Sequence, residues 1–384
     1  ANRVRFVIVS DFNDLVAVDR KINERLDCDF ADIARHYSFF LPLAGYEVAQ
    51  EASDSPADAK AAERMGKLCD LLRKHNDVSD RDQAHQLHVF LTRLLFCLFA
   101  EDTDIFDKQR FTDTLRANTG SDGSDTADLL RELFQVLNDP DRSGRYPAHL
   151  EAFPYVNGDL FSEDVPVPAM TGRARRLILE AGDLDWTGIN PDIFGSMFQS
   201  VLDAEQRGTL GQHYTPYSNI MKVLRPLFLD DLEAELETAK RDGRSPAKRL
   251  DRFVLRLSEI KVFDPACGSG NFLVVAYKEL RRLEMAAQQA KSDISGQGEA
   301  VTVGVHLSNF YGIEIDDFAH ETAQLSLWLA QHQMNNELFD RFGKVEPTLP
   351  LSGGGNILLG NALRLDWDEV CRPDQADEVY VCGN

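Results

Sequence analysis

From about residue 29 to residue 203 apolar positions recur at i, i+3, i+4 and i+7, the spacing of amphipathic helices. The clearest cases are 58–76 (DAKAAERMGKLCDLLRKHN) and 85–103 (HQLHVFLTRLLFCLFAEDT), with further helices predicted at 128–138, 172–182 and 187–203. Segment 85–103 is apolar nearly all round, as the central helix of a bundle would be. In 187–203, Pro191 stands early, where its missing N–H costs nothing. The polar, glycine-bearing stretches GSDGSDTAD (120–128) and NDPDRSGRYP (138–147) predict exposed loops. FPYVNGDLF (153–161) sets Pro, Asn and Gly in an aromatic frame and predicts a structured turn whose rings are core. Ahead of all this, the β-branched run VRFVIV (4–9) predicts one short buried strand ending at Ser10-Asp11. The chain has no internal repeat and no low-complexity tract.

Past residue 204 the period changes. The runs KVFDPA, NFYGIEI, NILLGNA and EVYVCGN alternate with the helical patterns SNIMKVLRPLFLDDLEAEL, GNFLVVAYKELRRLEMAAQQA and DFAHETAQLSLWLAQHQM. Strands alternating with helices mean βαβ units on a parallel sheet. The predicted layout is a strand and connector (1–28), a helical domain (29–205) and an α/β domain (206–384), with the boundary near 204–210.

With 384 residues, 43% of them hydrophobic, the chain can bury a sizeable core and is neither a disordered tail nor a disulfide miniprotein. Lys plus Arg number 41 against 63 Asp plus Glu, a net charge of -22. Such a surface repels phosphate and does not suit a protein that grips nucleic acid everywhere. The six cysteines are scattered without a CxxC pair or a Cys/His cluster, so reduced thiols and no metal centre are expected. No run of 18 apolar residues and no signal peptide is present, which predicts a cytoplasmic protein with no membrane contact. The chain starts at Ala1 without a Met and stops at VYVCGN, which reads as a piece of a longer protein.

The strongest chemical signal is KVFDPACGSGNFLVVAYKEL (261–280). A strand ends at Asp264, a tight turn runs through Gly268 and Gly270, and Asn271 is expected to cap the following helix. Glycines belong where a ligand approaches the backbone closely. A plain strand-turn-helix connection needs no carboxylate at the strand end, so Asp264 favours a ligand. A dinucleotide fingerprint wants a third glycine and an acid roughly 20 positions on; here the next strand-end acid is Glu314, much further along, and no GK[ST] phosphate loop follows. An adenosine ligand without phosphates fits better. Asp264 could accept from an ammonium or order the turn, Glu314 could hold a ribose diol, and Ile315 could face an adenine ring. Asn361, after NILLG, carries both donor and acceptor for an adenine edge, or is a turn residue.

DPACGSGNFL, YGIEID, GNALRLDW and the terminal VYVCGN resemble motifs I, II, III and the start of IV of the amino-group DNA methyltransferases, and GQHYTP (211–216) resembles motif X. Motif X ahead of motif I is the order of the gamma-type adenine enzymes. LLFCLFAEDTDIF, FPYVNGDLF, INPDIFGSMFQSVLD and RGTLGQHYTPYSNIMKVLRPLFLDDL extend the resemblance to single-chain type IIG/IIL restriction-modification enzymes. The resemblance implies a helical spacer followed by an incomplete Rossmann-like class I methyltransferase domain, dependent on S-adenosyl-L-methionine and acting on double-stranded DNA. Nuclease and recognition domains would lie elsewhere in the full-length protein. It implies cofactor contacts from Tyr214, Thr215, Asp264, Ala266, Gly268, Gly270, Phe272, Glu314, Ile315 and Asn361. Asn384 would be the first residue of the catalytic Asn/Asp-Pro-Pro-aromatic tetrad, whose remainder is not in this chain. Its side-chain oxygen would accept from the adenine amine that attacks the methyl, and a fragment lacking the rest would be inactive. A type I or phage-defence methylation subunit, or an inactive cofactor-binding scaffold, would share these motifs.

Other candidates weigh less. Tyr214 and Thr215 touch the cofactor or form a turn before the next helix, and His213 reads as a turn residue. Cys267 sits in the glycine turn without a nearby His and reads as a small packing residue. Asp11 lacks the neighbouring acid and lysine of a nuclease site and reads as a strand-end cap. The cluster KRDGRSPAKRLDRFVLR (240–256) either meets phosphate or forms surface ion pairs.

Overall fold

In the computed structural model of the chain, which describes residues 6–12, 14–19, 24–30, 56–78, 80–156, 159–187, 189, 215–241, 245–295, 301–344, 349, 351, 354–372 and 378–384, the strand expected near the start is the first of three. β1 (Phe6–Ser10), β2 (Asp14–Asp19) and β3 (Glu24–Asp29) form an antiparallel meander in the order β1-β2-β3. Burial differs from expectation. The middle strand is flanked on both sides, so Leu15 and Ala17 are buried, while the edge-strand residues Val7, Ile8 and Val9 are exposed. This sheet belongs to one unit, residues 1–53; residues 54–384 form the other.

In the larger unit the helices begin with α1 (Pro56–His75) and α2 (Arg81–Asp102). α2 starts where Asp80 accepts from Gln83 N and Gln83 returns a bond to Asp80 N, a reciprocal cap. Leu91, Leu94, Leu95, Phe96, Cys97, Leu98, Phe99 and Ala100 are all fully buried, so α2 is enclosed on every side. Around it lie α3 (Arg110–Asn118), α4 (Thr126–Asn138), α5 (Ala148–Glu151), a 3-10 turn (Asp159–Phe161) and α6 (Gly172–Gly182). Buried Arg93 of α2 shapes the expected turn at 153–161. Its Nε donates to Leu160 O (2.8 Å), its Nη2 donates to Glu163 O (2.6 Å), and its guanidinium lies over the rings of Phe134 and Phe161. Phe153, Val156, Leu160 and Phe161 are buried, so the two phenylalanine rings are core as expected, while Tyr155 is half-buried. Most of the helix expected at 187–203 lies outside the described residues.

The second half opens with α7 (Tyr217–Leu224), a π-helical turn (Arg225–Leu229) containing Pro226, α8 (Asp230–Arg241) and α9 (Pro246–Glu259). Then come β4 (Lys261–Asp264), α10 (Asn271–Ser295), β5 (Phe310–Glu314), α11 (Asp317–Phe342), β6 (Asn356–Leu359), α12 (Trp367–Val370) and β7 (Val379–Val381). The four strands form a parallel sheet ordered β6-β5-β4-β7. Strand order therefore advances outward from β4 and then reverses to place β7 on its other side. In open α/β sheets a crevice opens at the carboxyl ends of the strands where the order reverses.

α11 packs against both α2 and α10, and the two halves of the unit meet along it. His332 Nε2 bonds Thr103 O (2.5 Å), His88 stacks on Phe318 (4.1 Å), and Leu351 N donates to Val156 O (2.8 Å). Three residues of the basic cluster, Lys240, Arg241 and Arg256, are held in ion pairs. Arg256 makes a bidentate pair with Glu378 ahead of β7 (2.8 and 2.9 Å) and pairs with Glu235 of α8; Lys240 and Arg241 pair with Glu237. Tyr380 donates to the same Glu378 and stacks on Phe228.

Arg93→Met keeps the apolar stem of the side chain but orphans one buried and one half-buried carbonyl. It is expected to lower unfolding free energy by about 2–4 kcal/mol, measured by urea denaturation against the parent chain.

Candidate functional site

All four strands point their carboxyl ends to one edge, and the residues singled out in the sequence collect there. Asp264 ends β4, Glu314 ends β5, Gly360-Asn361 follows β6 and Gly383-Asn384 follows β7. The glycine turn runs between the first two. Gly268 adopts φ +54° and Gly270 φ +82°, conformations that an L-residue rarely takes. The two glycines serve different ends. A Cβ on Gly270 would press on Ala323 of α11 at 3.2 Å, so Gly270 allows helix and turn to approach. A Cβ on Gly268 would meet nothing within 4 Å, so its absence leaves an open cradle beside the turn. α10 begins at Asn271 itself, one residue earlier than a cap there would allow, and Ser269 Oγ donates to Asn271 Oδ1 (3.2 Å).

The turn is tied to β5 by a carboxylate. Gly268 N donates to Glu314 Oε2 (2.8 Å), Asp316 N donates to Glu314 Oε1 (2.8 Å), and Gly360 N donates to the Glu314 carbonyl (2.7 Å). One residue thus joins the ends of β4, β5 and β6. Burial raises the Glu314 carboxyl above its usual range, and the Asp316 and Gly268 N–H groups offset part of the rise. Asp264 is almost wholly buried and accepts from Ala266 N (3.0 Å). Burial, opposed by that N–H and reinforced by the Glu314 charge, pushes it up to about 7. It is a carboxylate lacking a positive partner among the groups that shift it, which suits a cationic ligand group.

Ile315 is half-exposed beside Glu314, and Leu359 and Leu363 are exposed nearby in sequence around Asn361, giving the edge an apolar side. Asn361 Oδ1 accepts from Leu363 N (2.9 Å) and so also orders its own turn. Ala266 is exposed at the turn, whereas Phe272 is buried in the core behind it. Cys267 is buried, lies where a Cβ on Gly312 would be 2.8 Å from its sulfur, and has its thiol pushed well up by burial; it is a packing residue. Tyr214 and His213 lie outside the described residues. Thr215 is described: Asn384 Nδ2 donates to Thr215 Oγ1 at 3.2 Å, across the whole α/β half of the chain. Gly383, unremarked in the sequence reading, takes φ +151°, and a Cβ there would sit 2.5 Å from Asp264 Oδ1. The Cys-Gly-Asn run before the chain end was the signal for it.

This topology, with an acid at each of two neighbouring strand ends and a glycine turn between them, is that of a Rossmann-like class I methyltransferase domain, here packed on helices. Comparison with known proteins makes the assignment specific. Residues 1–75, 85–161 and 236–384 match, in order, the N-terminal domain, the helicase spacer domain and the DNA-methyltransferase domain of MmeI. Three successive domain models of one family, MmeI, thus match most of the chain. It is 46% identical over 382 residues to DNA methyltransferase A of Bacillus subtilis, covering 99% of this chain and 42% of that protein. It is 26% identical over 405 residues to a putative type II restriction enzyme and methyltransferase of Methanocaldococcus jannaschii, covering 91% of this chain and 33% of that protein. A solved structure of the type IIL restriction-modification enzyme MmeI in complex with DNA superposes with a TM-score of 0.74 at 43% identity, over 81% of this chain and 41% of that one. The chain thus spans less than half the length of these relatives.

Because Asp264 is raised from 3.8 to about 7 on folding, the stability it contributes is full below pH 3.8 and is lost as pH rises through 7. Asp264→Asn keeps the acceptor for Ala266 N and removes the charge. It is expected to stabilise the unliganded chain by about 1–4 kcal/mol at pH 8 and by little at pH 4, read from denaturant unfolding at the two pH values.

Proposed function

We propose that the protein carrying this chain is a site-specific DNA adenine-N6 methyltransferase of a restriction-modification system, with S-adenosyl-L-methionine as methyl donor. The observation that carries the reading is the pair of buried strand-end carboxylates bridged by the Gly268 turn, with Thr215 and Asn384 meeting at the same edge. Its layout is a connector (1–28), a helical spacer (29–205) and the cofactor-binding half of a methyltransferase domain (206–384). Double-stranded DNA is the partner, with recognition and nuclease functions in other parts of the full-length protein and the cytoplasm as its compartment. Among the described residues no helix is long and apolar enough to cross a membrane.

The residues present fit the donor. The open space beside Gly268 admits a ligand against bare backbone, and Asp264 offers a desolvated carboxylate to a cationic amino group. Each Glu314 oxygen accepts one backbone N–H and keeps a lone pair for one of two vicinal hydroxyls. Ile315 and Asn361 offer an apolar face and an amide to a purine, with Ala266, Gly270 and Phe272 shaping the turn behind. Thr215 closes the amino-acid end, and Tyr214 is assigned there by its motif alone. When bound, S-adenosylmethionine supplies a methyl group on a sulfonium.

The chain's own work is positioning. An adenine amine is a weak nucleophile because its lone pair is delocalised into the ring. Asn384 Oδ1, accepting from that amine, favours the pyramidal form whose lone pair is free to attack. The base must first leave the duplex stack to reach the edge. Asn384 Nδ2, donating to Thr215 Oγ1, leaves Oδ1 as the end available to the amine.

Titration calorimetry of the chain with S-adenosylmethionine is expected to show binding, weakened about 10-fold or more by Asp264→Ala or Glu314→Ala. No binding by the parent would overturn the cofactor assignment. In the full-length protein, Asn384→Ala is expected to cut adenine methylation of DNA about 100-fold or more while cofactor affinity holds; equal loss of both would remove Asn384 from the chemical step.

A further inference from the structure

His85 links spacer helix α2 to the loop that follows β5. His85 stands in the second turn of α2, with its Nδ1 bonded to Asp317 Oδ2 and its Nε2 at 3.1 and 3.2 Å from the two oxygens of Glu163. Asp317 is the first residue of α11, and its neighbour Asp316 both caps that helix, accepting from Ala319 N (2.9 Å), and donates its own N–H to Glu314. The ring is half-buried and spans two carboxylates from different elements. One helical step on, His88 stacks on Phe318, so α2 grips the first two residues of α11 side by side.

We propose that His85 is a positioning residue of the cofactor site: through Asp317 it lets spacer helix α2 hold the β5–α11 loop in the geometry in which Glu314 binds the donor. The inference rests on the cofactor reading above. An imidazolium has two N–H donors, one for each carboxylate; a neutral imidazole has one and turns a lone pair toward the other acid. Burial lowers the His85 pKa, but the bonds and charges of Asp317 and Glu163 outweigh it, and the net value is raised above 6.5. The bridge is therefore complete below the ordinary imidazole value of 6.5 and is lost as pH rises through the raised one. The groups around it are Asp317, Glu321 and His320 of α11, Glu163 and Asp164 beyond the 3-10 turn, Arg73 of α1, and His88 and Arg93 of α2 itself. His88 is held neutral, pushed down to about 4 by burial and Arg73. His320 is also raised, against burial, by Glu321, so substitution of His85 is what separates the two. Asp264 works in the opposite sense, since a cationic group gains affinity as this acid ionises near 7.

The test is S-adenosylmethionine affinity across pH 6–10 for the full-length protein and its His85→Gln and His85→Lys variants, with folding checked by circular dichroism. The parent is expected to bind most tightly at intermediate pH and to weaken about 5-fold or more on the alkaline side. His85→Gln should be weaker by a similar factor at neutral pH and merge with the parent at high pH. His85→Lys should restore neutral-pH affinity and keep it where the parent loses it. An alkaline limb unchanged in His85→Gln overturns the proposal while leaving the cofactor reading intact. No binding by any of the three proteins at any pH overturns the cofactor reading instead. Hydrogen exchange of the Gly268 and Asp316 amides without cofactor then judges the coupling by itself: protection that falls with rising pH in the parent and is already low in His85→Gln is expected, and equal protection in both overturns it.

Discussion

The Glu314 carboxylate is the point on which the α/β half turns. Three strand ends converge on this residue: β4 through Gly268 N, its own strand β5, and β6 through Gly360 N. A buried carboxylate is costly unless its lone pairs are used, and here backbone N–H groups use two of them without neutralising the charge. The result is an acid fixed in place yet still able to accept. Gly268 makes this possible twice over, since its positive φ turns its N–H toward Glu314 and its missing Cβ keeps the space beside the turn open.

That junction is carried by α11, which is buried on nearly every side because it serves two halves of the molecule. Toward the sheet it meets β6 and the glycine turn through Ala323; toward the spacer it meets α2 through Phe318 and His332. A helix shared in this way has no single polar stripe, and its apolar and polar residues accordingly follow no one-sided spacing along the sequence. Residues 54–384 form one unit for the same reason. The spacer is structurally part of what sets the strand-end geometry, through the side chains of His85 and His332 and the Leu351–Val156 backbone bond.

What the sequence disclosed and what it concealed divide by range. The strand at 261–264, the turn after it and the acid at 314 were legible because each is local: a β-branched run, glycines where φ is positive, a carboxylate at a strand end. β2 and β3 were not, since ERLDCD carries charges at four of six positions and gains its strand state from pairing with β2. Arg93 is a basic residue within an otherwise apolar stretch of the sequence, and only the tertiary fold shows it holding the Leu160 and Glu163 carbonyls. The fate of the 240–256 cluster was equally undecidable locally, because Glu378, the partner of Arg256, lies more than a hundred residues away. The Thr215–Asn384 bond has the same character: a motif placed both residues near one ligand, yet nothing local joined them.

Acidity therefore means different things in different places along this chain. Much of the negative charge is at work in capping, as at Asp80 and Asp316, or in ion pairs such as Glu235 and Glu378 with Arg256. Asp264 is different. It is an acid kept out of water, with a backbone N–H as its described hydrogen-bond donor, and it is less stable for being there. A fold retains such a residue when a bound partner returns the free energy, since any ligand that binds only the native state stabilises it by mass action. The charge that opposes folding in the empty chain is then the charge that selects a cationic ligand. Stability and ligand binding at this edge are one quantity seen from two sides.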